Sequence, residues 1–227
     1  EYFTSAEIFA QERERIFGRH WLLAGHVAQL PEPGSYFLFE LDRESVLLVR
    51  DAAGQIHAHH NFCRHRGTRL CTEAHGELKG GLQCSYHAWT YGFDGALRAA
   101  PNMQEVHGFD RADHGLKPVA LANWRGFLFL NLAEEPVPFD AALPALQGKF
   151  EHWRIEELRS VHQTVYEVEA NWKLFFHNYS ECYHCPNVHP HLNKLTPYKN
   201  TENDLDEGPV LGGPMWMSNP EGSMTMH

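Results

Sequence analysis

Apolar residues recur with two different periods along the chain, and the change of period divides it. Near the start, Ile8, Ile16 and Phe17 punctuate a charged run behind Thr4-x-x-Glu7, a capping-box spacing that predicts a short amphipathic helix. Pro31-Glu32-Pro33-Gly34 breaks the chain, and short blocks of β-branched and aromatic residues follow at 36–41 and 46–50. The second block runs into a turn at Asp51-Ala52-Ala53-Gly54, and 55–62 carries the chain onward. Asp94-Gly95, between Tyr91-x-Phe93 and Leu97, predicts a hairpin. Pro101 begins a loop, and 127–132 reads as a buried strand. An all-β module from about Trp21 to Leu132 is the reading.

Pro136-Val137-Pro138 marks a boundary, and the pattern changes beyond it. Asp140 can cap a helix that Pro144 keeps short. The β-branched residues of 161–168 predict the first strand of a second domain. From Asn171, a plausible N-cap, to Pro186 the chain lacks glycine and internal proline, which predicts a helix of three to four turns. The tail from Asn200 reads as loops between short strands.

Composition narrows the classes. The 227 residues suffice for one large domain or two modest ones, and a 43% hydrophobic fraction is ample for a core. With 19 basic and 29 acidic residues the formal charge is −10, so there is no basic footprint for nucleic acid. No run approaches the ~18 apolar residues of a membrane span. The first residues lack the basic and apolar regions of a signal peptide. Seventeen histidines raise the expectation of metal chemistry.

The candidate chemistry begins with two short ligand pairs, Cys63-x-His65 and Cys84-x-x-His87, separated by the 18 residues 66–83. Each pair offers one thiolate and one imidazole from a single loop. A cluster in which two Cys hold one iron and two His the other needs this set. A zinc site also accepts two Cys and two His. Zinc modules, however, group Cys with Cys and His with His, whereas here the types alternate.

A second constellation lies at Glu181-x-x-His184-x-x-x-x-His189. On a continuous helix Glu181 and His184, three apart, share a face. Two imidazoles and one carboxylate make the facial triad of mononuclear non-haem iron. Cys182 and Cys185 form a C-x-x-C beside these ligands, for which packing is the expectation. Cys71 is expected to be a small buried hydrophobe. With an odd count of five cysteines, two of them metal ligands, no disulfide framework is expected, and a reducing cytoplasm fits.

Cys63-Arg64-His65-Arg66-Gly67 and Cys84-Ser85-Tyr86-His87-Ala88-Trp89, followed by the Glu181 motif in the expected order, resemble the Rieske non-haem iron oxygenases. The resemblance implies an α+β fold. A β-rich Rieske [2Fe–2S] domain at 21–135 would precede the start of a helix-grip catalytic domain at 136–227, with an N-terminal helix at 1–20 packing on the latter. It implies that Cys63 and Cys84 hold one iron of the cluster and His65 and His87 the other. His184 and His189 would hold a mononuclear Fe(II), and Glu181 would bridge the two sites. The expected protein is a homotrimeric oxygenase component that takes electrons from a separate NAD(P)H-dependent reductase or ferredoxin. It would use dioxygen to hydroxylate or demethylate a small organic substrate, aromatic or quaternary ammonium. Glu at 181, where many arene dioxygenases resemble one another in having Asp, leans toward the quaternary-ammonium branch. The third iron ligand is expected beyond His227; Asp204, Asp206 and Glu207 are fallback carboxylates only. A Rieske-type electron carrier and a zinc-stabilised interaction module are the rival readings.

Overall fold

The computed structural model describes residues 1–148, 150–202, 212–213 and 215–218. It divides into two compact units, Glu12–Phe139 with Phe150–Gln163, and Glu1–Gln11 with Asp140–Lys149 and Thr164–His227. Antiparallel sheets and short helices make the fold α+β.

The first unit is built on three sheets. β1 (Leu22–His26), β9 (Ala120–Trp124) and β10 (Phe127–Asn131) form one, in the order β1-β10-β9. β2 (Ser35–Leu41), β3 (Glu44–Arg50), β4 (Ile56–His60) and β5 (His75–Glu77) form the second, in the order β4-β3-β2-β5. β6 (Leu82–Gln83), β7 (Thr90–Tyr91) and β8 (Leu97–Ala99) form the third. The strand alternation of β3 explains the layering, because successive side chains point to opposite faces. Val46 and Leu48 enter a core with Leu30, Phe37, Leu128 and Leu130. Leu47 and Val49 enter another with Cys63, Cys84, Trp89 and Tyr91. All four β3 residues are fully buried, each contributing about 1.5–3 kcal/mol of burial. The central sheet is thus covered on both faces, and one cover carries the ligand loops.

Turn chemistry sets the register. The Asp51 carboxylate accepts the amides of Ala53 and Gln55, which closes the β3–β4 hairpin as the sequence predicts. Between β7 and β8 the Gly92 amide donates to the Ala96 carbonyl across Asp94-Gly95. Gly95 lies at φ +84°, and a Cβ there would come within 2.6 Å of the His59 ring. Only glycine lets the hairpin close over His59, whose buried ring donates Nε2–H to the Phe93 carbonyl at 2.8 Å.

The second unit departs further from expectation. In α1 (Ala6–Glu12) the side chain that accepts an early amide is Ser5, on Ile8, one residue later than the expected cap. Among the described residues, 161–168 lie outside every sheet and are exposed, and β-branched residues favour a strand only where they pack against neighbours on a sheet. The helix expected over 171–186 is divided into α3 (Trp172–Tyr179) and α4 (Cys185–Val188), with α2 (Phe139–Ala142) earlier and α5 (Pro190–Leu195) following. Asn171 does cap α3, accepting the Lys173 amide. α3 ends where Ser180 turns its hydroxyl back onto the Phe176 carbonyl and the Glu181 carboxylate engages the next turn. Pro186 sits in the first turn of α4 rather than ending a helix, because its missing N–H is harmless there. Phe175 and Phe176 are exposed in this unit. No helix among the described residues is long and apolar enough to cross a membrane.

Candidate metal centres

The two ligand loops are copies of one backbone device. In the first, the Cys63 amide donates to the Thr68 carbonyl and the Gly67 amide returns to the Cys63 carbonyl. In the second, the Cys84 amide donates to the Trp89 carbonyl and the Ala88 amide to the Cys84 carbonyl. The fifth residue of each loop has a positive φ, +72° at Gly67 and +56° at Ala88. For alanine that conformation costs about 1–2 kcal/mol, which the two closing bonds of the loop offset. Each loop thereby presents a cysteine at its first position and a histidine two or three residues later.

Within this frame the two sulfurs are buried and interact, while the two histidines lie toward solvent. Cys63 and Cys84 are nearly inaccessible, and burial pushes the Cys63 thiol above its ordinary value, with Cys84 adding to the rise. His65 and His87 approach to 4.6 Å between ring centroids, with His87 exposed. The His65 ring stacks on Trp89 at 4.9 Å and 11°, and Trp89 is covered in turn by Phe109 and His114. The loop that Pro101 begins therefore backs the histidine side of the site.

These donors suit a bridged two-iron cluster. The buried Nδ1 of His65 has no protein partner, so a lone pair is presented inside the loop pair where a metal would satisfy it. Burial, then His87 and Arg66, hold His65 below its ordinary pKa, and the neutral ring is the form that ligates. Tyr91, fully buried, completes the site. Its hydroxyl oxygen accepts the Arg64 amide at 3.0 Å, which leaves its hydrogen for the Cys63 sulfur at 3.2 Å. Burial and Cys63 raise the Tyr91 pKa, so it stays a donor. From the sequence Tyr91 reads only as part of a hairpin; the signal was its place four residues after His87, where an apolar strand residue would serve the fold equally. Cys71 is buried in the same core, and burial pushes its thiol up to about 11, that of an inert packing residue.

The second constellation assembles on the turn between α3 and α4. The Glu181 carboxylate accepts His184 Nδ1–H at 2.6 Å and also the Tyr183 amide. The His184 contact is the main cause holding Glu181 below the usual carboxylate range. With Nδ1 committed, the tautomer leaves the His184 Nε2 lone pair for a ligand. His189, at the α4–α5 junction, returns to 5.3 Å from the His184 ring. Glu181 and His184 therefore meet as expected, but through a turn and not along a helix face. Cys182 and Cys185, expected only to pack, are joined by a disulfide across that turn. A three-residue spacing inside a tight turn brings the sulfurs together, where a straight helix would have left them as neighbours on a face.

Among the described residues no three His, Cys, Asp or Glu side chains converge on one point. Each iron of the cluster would take two protein donors, and His184 with His189 supply two. Asp204, Asp206 and Glu207 lie outside the described residues.

Residues 20–110 match the Rieske [2Fe-2S] domain, and residues 155–227 match the catalytic domain of ring-hydroxylating alpha subunits. The chain is 39% identical over 203 residues to the glycine betaine monooxygenase oxygenase subunit of Chromohalobacter salexigens, covering 88% of this chain and 45% of that protein. It is 33% identical over 191 residues to the carnitine monooxygenase oxygenase subunit of Acinetobacter baumannii, covering 83% and 51%. Its structure is similar to a crystal structure of a quaternary ammonium Rieske monooxygenase in complex with substrate L-carnitine. The TM-score is 0.83 at 30% identity, covering 90% of this chain and 58% of the other. The chain spans about half the length of the curated relatives it matches.

Proposed function

Because the chain belongs to the Rieske non-haem iron oxygenases, as a ring-hydroxylating alpha subunit, we propose that it is the oxygenase component of a multicomponent monooxygenase that oxidises a small quaternary ammonium compound. The observation that carries this reading is the Glu181–His184 contact on the α3–α4 turn, inside the segment that matches the catalytic domain. A pure electron carrier has no use for Glu181, His184 and His189. The two lines of relatives named for glycine betaine and carnitine support the substrate class.

In this reading 21–135 is the Rieske domain, 136–227 is the start of the catalytic domain, and 1–20 packs on the latter. Cys63 and Cys84 hold one iron of the [2Fe–2S] cluster and His65 and His87 the other; His184 and His189 hold the mononuclear iron. The bound irons supply electron storage and dioxygen activation. The chain's own residues do the positioning. The twin loops fix the four cluster ligands, and Trp89 holds the plane of His65. Tyr91 donates to Cys63 and thereby sets how readily its sulfur carries negative charge. Glu181 fixes the His184 tautomer. In a homotrimer the same carboxylate accepts a hydrogen bond from the partner subunit's His87, and a separate reductase or ferredoxin supplies the electrons.

The test is dioxygen uptake by the full-length polypeptide with a reductase and NADH. Uptake dependent on glycine betaine, carnitine or choline, and absent with naphthalene, is expected. A cluster that is reduced but consumes no dioxygen with any of them would overturn the reading in favour of the carrier.

A further inference from the structure

The Cys182–Cys185 disulfide encloses His184, and nothing in the proposed chemistry uses it. Three links cross the same turn. The sulfurs are bonded, the Cys185 amide donates to the Cys182 carbonyl at 3.0 Å, and Glu181 accepts from both Tyr183 and His184. The two sulfurs differ in access: Cys185 is 2% exposed, whereas Cys182 is only half-buried. A disulfide that closes a loop of four residues gains little from chain entropy, so it is a poor structural staple. A C-x-x-C with one accessible and one buried sulfur has instead the build of an exchange pair.

We infer that Cys182 and Cys185 form a reversible thiol–disulfide exchange site, whose closed form holds the turn presenting Glu181 and His184. Its reactants are small thiols and disulfides of the glutathione type. In the reductive direction an external thiolate attacks the accessible Cys182 sulfur, the S–S bond breaks, and Cys185 leaves as a thiolate and takes a proton. A second thiol resolves the mixed disulfide at Cys182. The balance is one protein disulfide plus two thiols giving two protein thiols and one external disulfide. Opening the pair frees the turn, so the redox state of the surroundings sets how firmly His184 is held. The exchange site stands independently of the proposed function; only its meaning for an iron at His184 rests on that reading.

The experiment equilibrates the full-length, iron-loaded polypeptide in glutathione buffers of graded ratio, alkylates with iodoacetamide and maps the label by peptide mass spectrometry. Cys182 and Cys185 are expected to become labelled together in one reversible two-electron transition. Glutathione is expected to be trapped on Cys182 in Cys185→Ser, and not on Cys185 in Cys182→Ser. Amide hydrogen exchange at Tyr183 and Cys185 is expected to quicken on reduction by up to about 20-fold, the chain-entropy value for a four-residue loop. If a serine variant fails to fold, the mixed disulfide trapped in the unaltered protein decides: glutathione on Cys182 supports the inference and glutathione on Cys185 overturns it. Labelling of both thiols in every buffer, a bond that survives excess dithiothreitol in the folded protein, or unchanged amide exchange would each overturn the inference. An active oxygenase without the transition defeats this inference alone. A clear transition in a protein that oxidises no quaternary ammonium compound defeats the proposed function alone.

Discussion

Tyr91→Phe removes one oxygen atom from the cluster site and nothing else, which makes its effect calculable. The ring is fully buried between β6 and β8 and keeps its packing in the variant. Two hydrogen bonds are lost, from the hydroxyl to the Cys63 sulfur and from the Arg64 amide to the hydroxyl. The bond to sulfur strengthens as negative charge rises, so it favours the reduced cluster. Taking a net contribution of about 1 kcal/mol more in the reduced form, the reduction potential should fall by about 40 mV for one electron. The Arg64 amide, half-buried and without an acceptor, should cost about 1 kcal/mol of stability. A potentiometric titration followed by electron paramagnetic resonance reads the first, and urea unfolding the second. A potential that stays within about 10 mV of the parent, or rises, would refute the reasoning and leave Tyr91 as a packing residue.

Three further outcomes follow from the same geometry. His184→Ala and His189→Ala should each remove the mononuclear iron and leave the Rieske absorption intact, because one imidazole is half of the ligands the described residues supply; loss of the Rieske signal as well would contradict two separate sites. Glu181→Gln should keep both iron sites but lose most turnover, with the cluster reduced and unable to pass its electron on; near-parental turnover would refute the bridging role. His59 is buried, with its pKa lowered chiefly by burial and further by His57, while its bond to Phe93 and the nearby Asp94 oppose the shift. A depressed folded pKa means that the unfolded state binds the proton first, so this contribution is fully present above the ordinary 6.5 and is lost as pH falls from there through the folded value. Urea midpoints should drop below pH 6.5 in the parent and less steeply in His59→Gln; equal slopes would show that the burial of His59 is irrelevant to acid stability.

The cluster site was legible because its chemistry is local. Each loop carries its cysteine, its histidine and its positive-φ residue within a few positions, so residue type and spacing record the geometry. The strands around it were legible for a similar reason, since β2 and β3 are short apolar blocks closed by turn residues. What sequence spacing could not record were contacts between distant residues, such as Tyr91 against Cys63 or His65 against Trp89. The helix expected around the second constellation was misread for a different reason. A run without glycine or proline reads as helix, but Ser180, Glu181 and the Cys182–Cys185 bond each give the backbone or side chains another partner, and together they end α3 early. The strand expected at 161–168 had β-branched residues, but among the described residues it joins no sheet.

Iron and zinc counts per chain, with electron paramagnetic resonance on the reduced full-length polypeptide, test the central claim most directly. The oxygenase reading predicts three irons, two in the cluster held by Cys63, Cys84, His65 and His87, and one at His184 and His189. Two irons with a full Rieske signal would make the protein an electron carrier, and zinc without iron would contradict the account altogether.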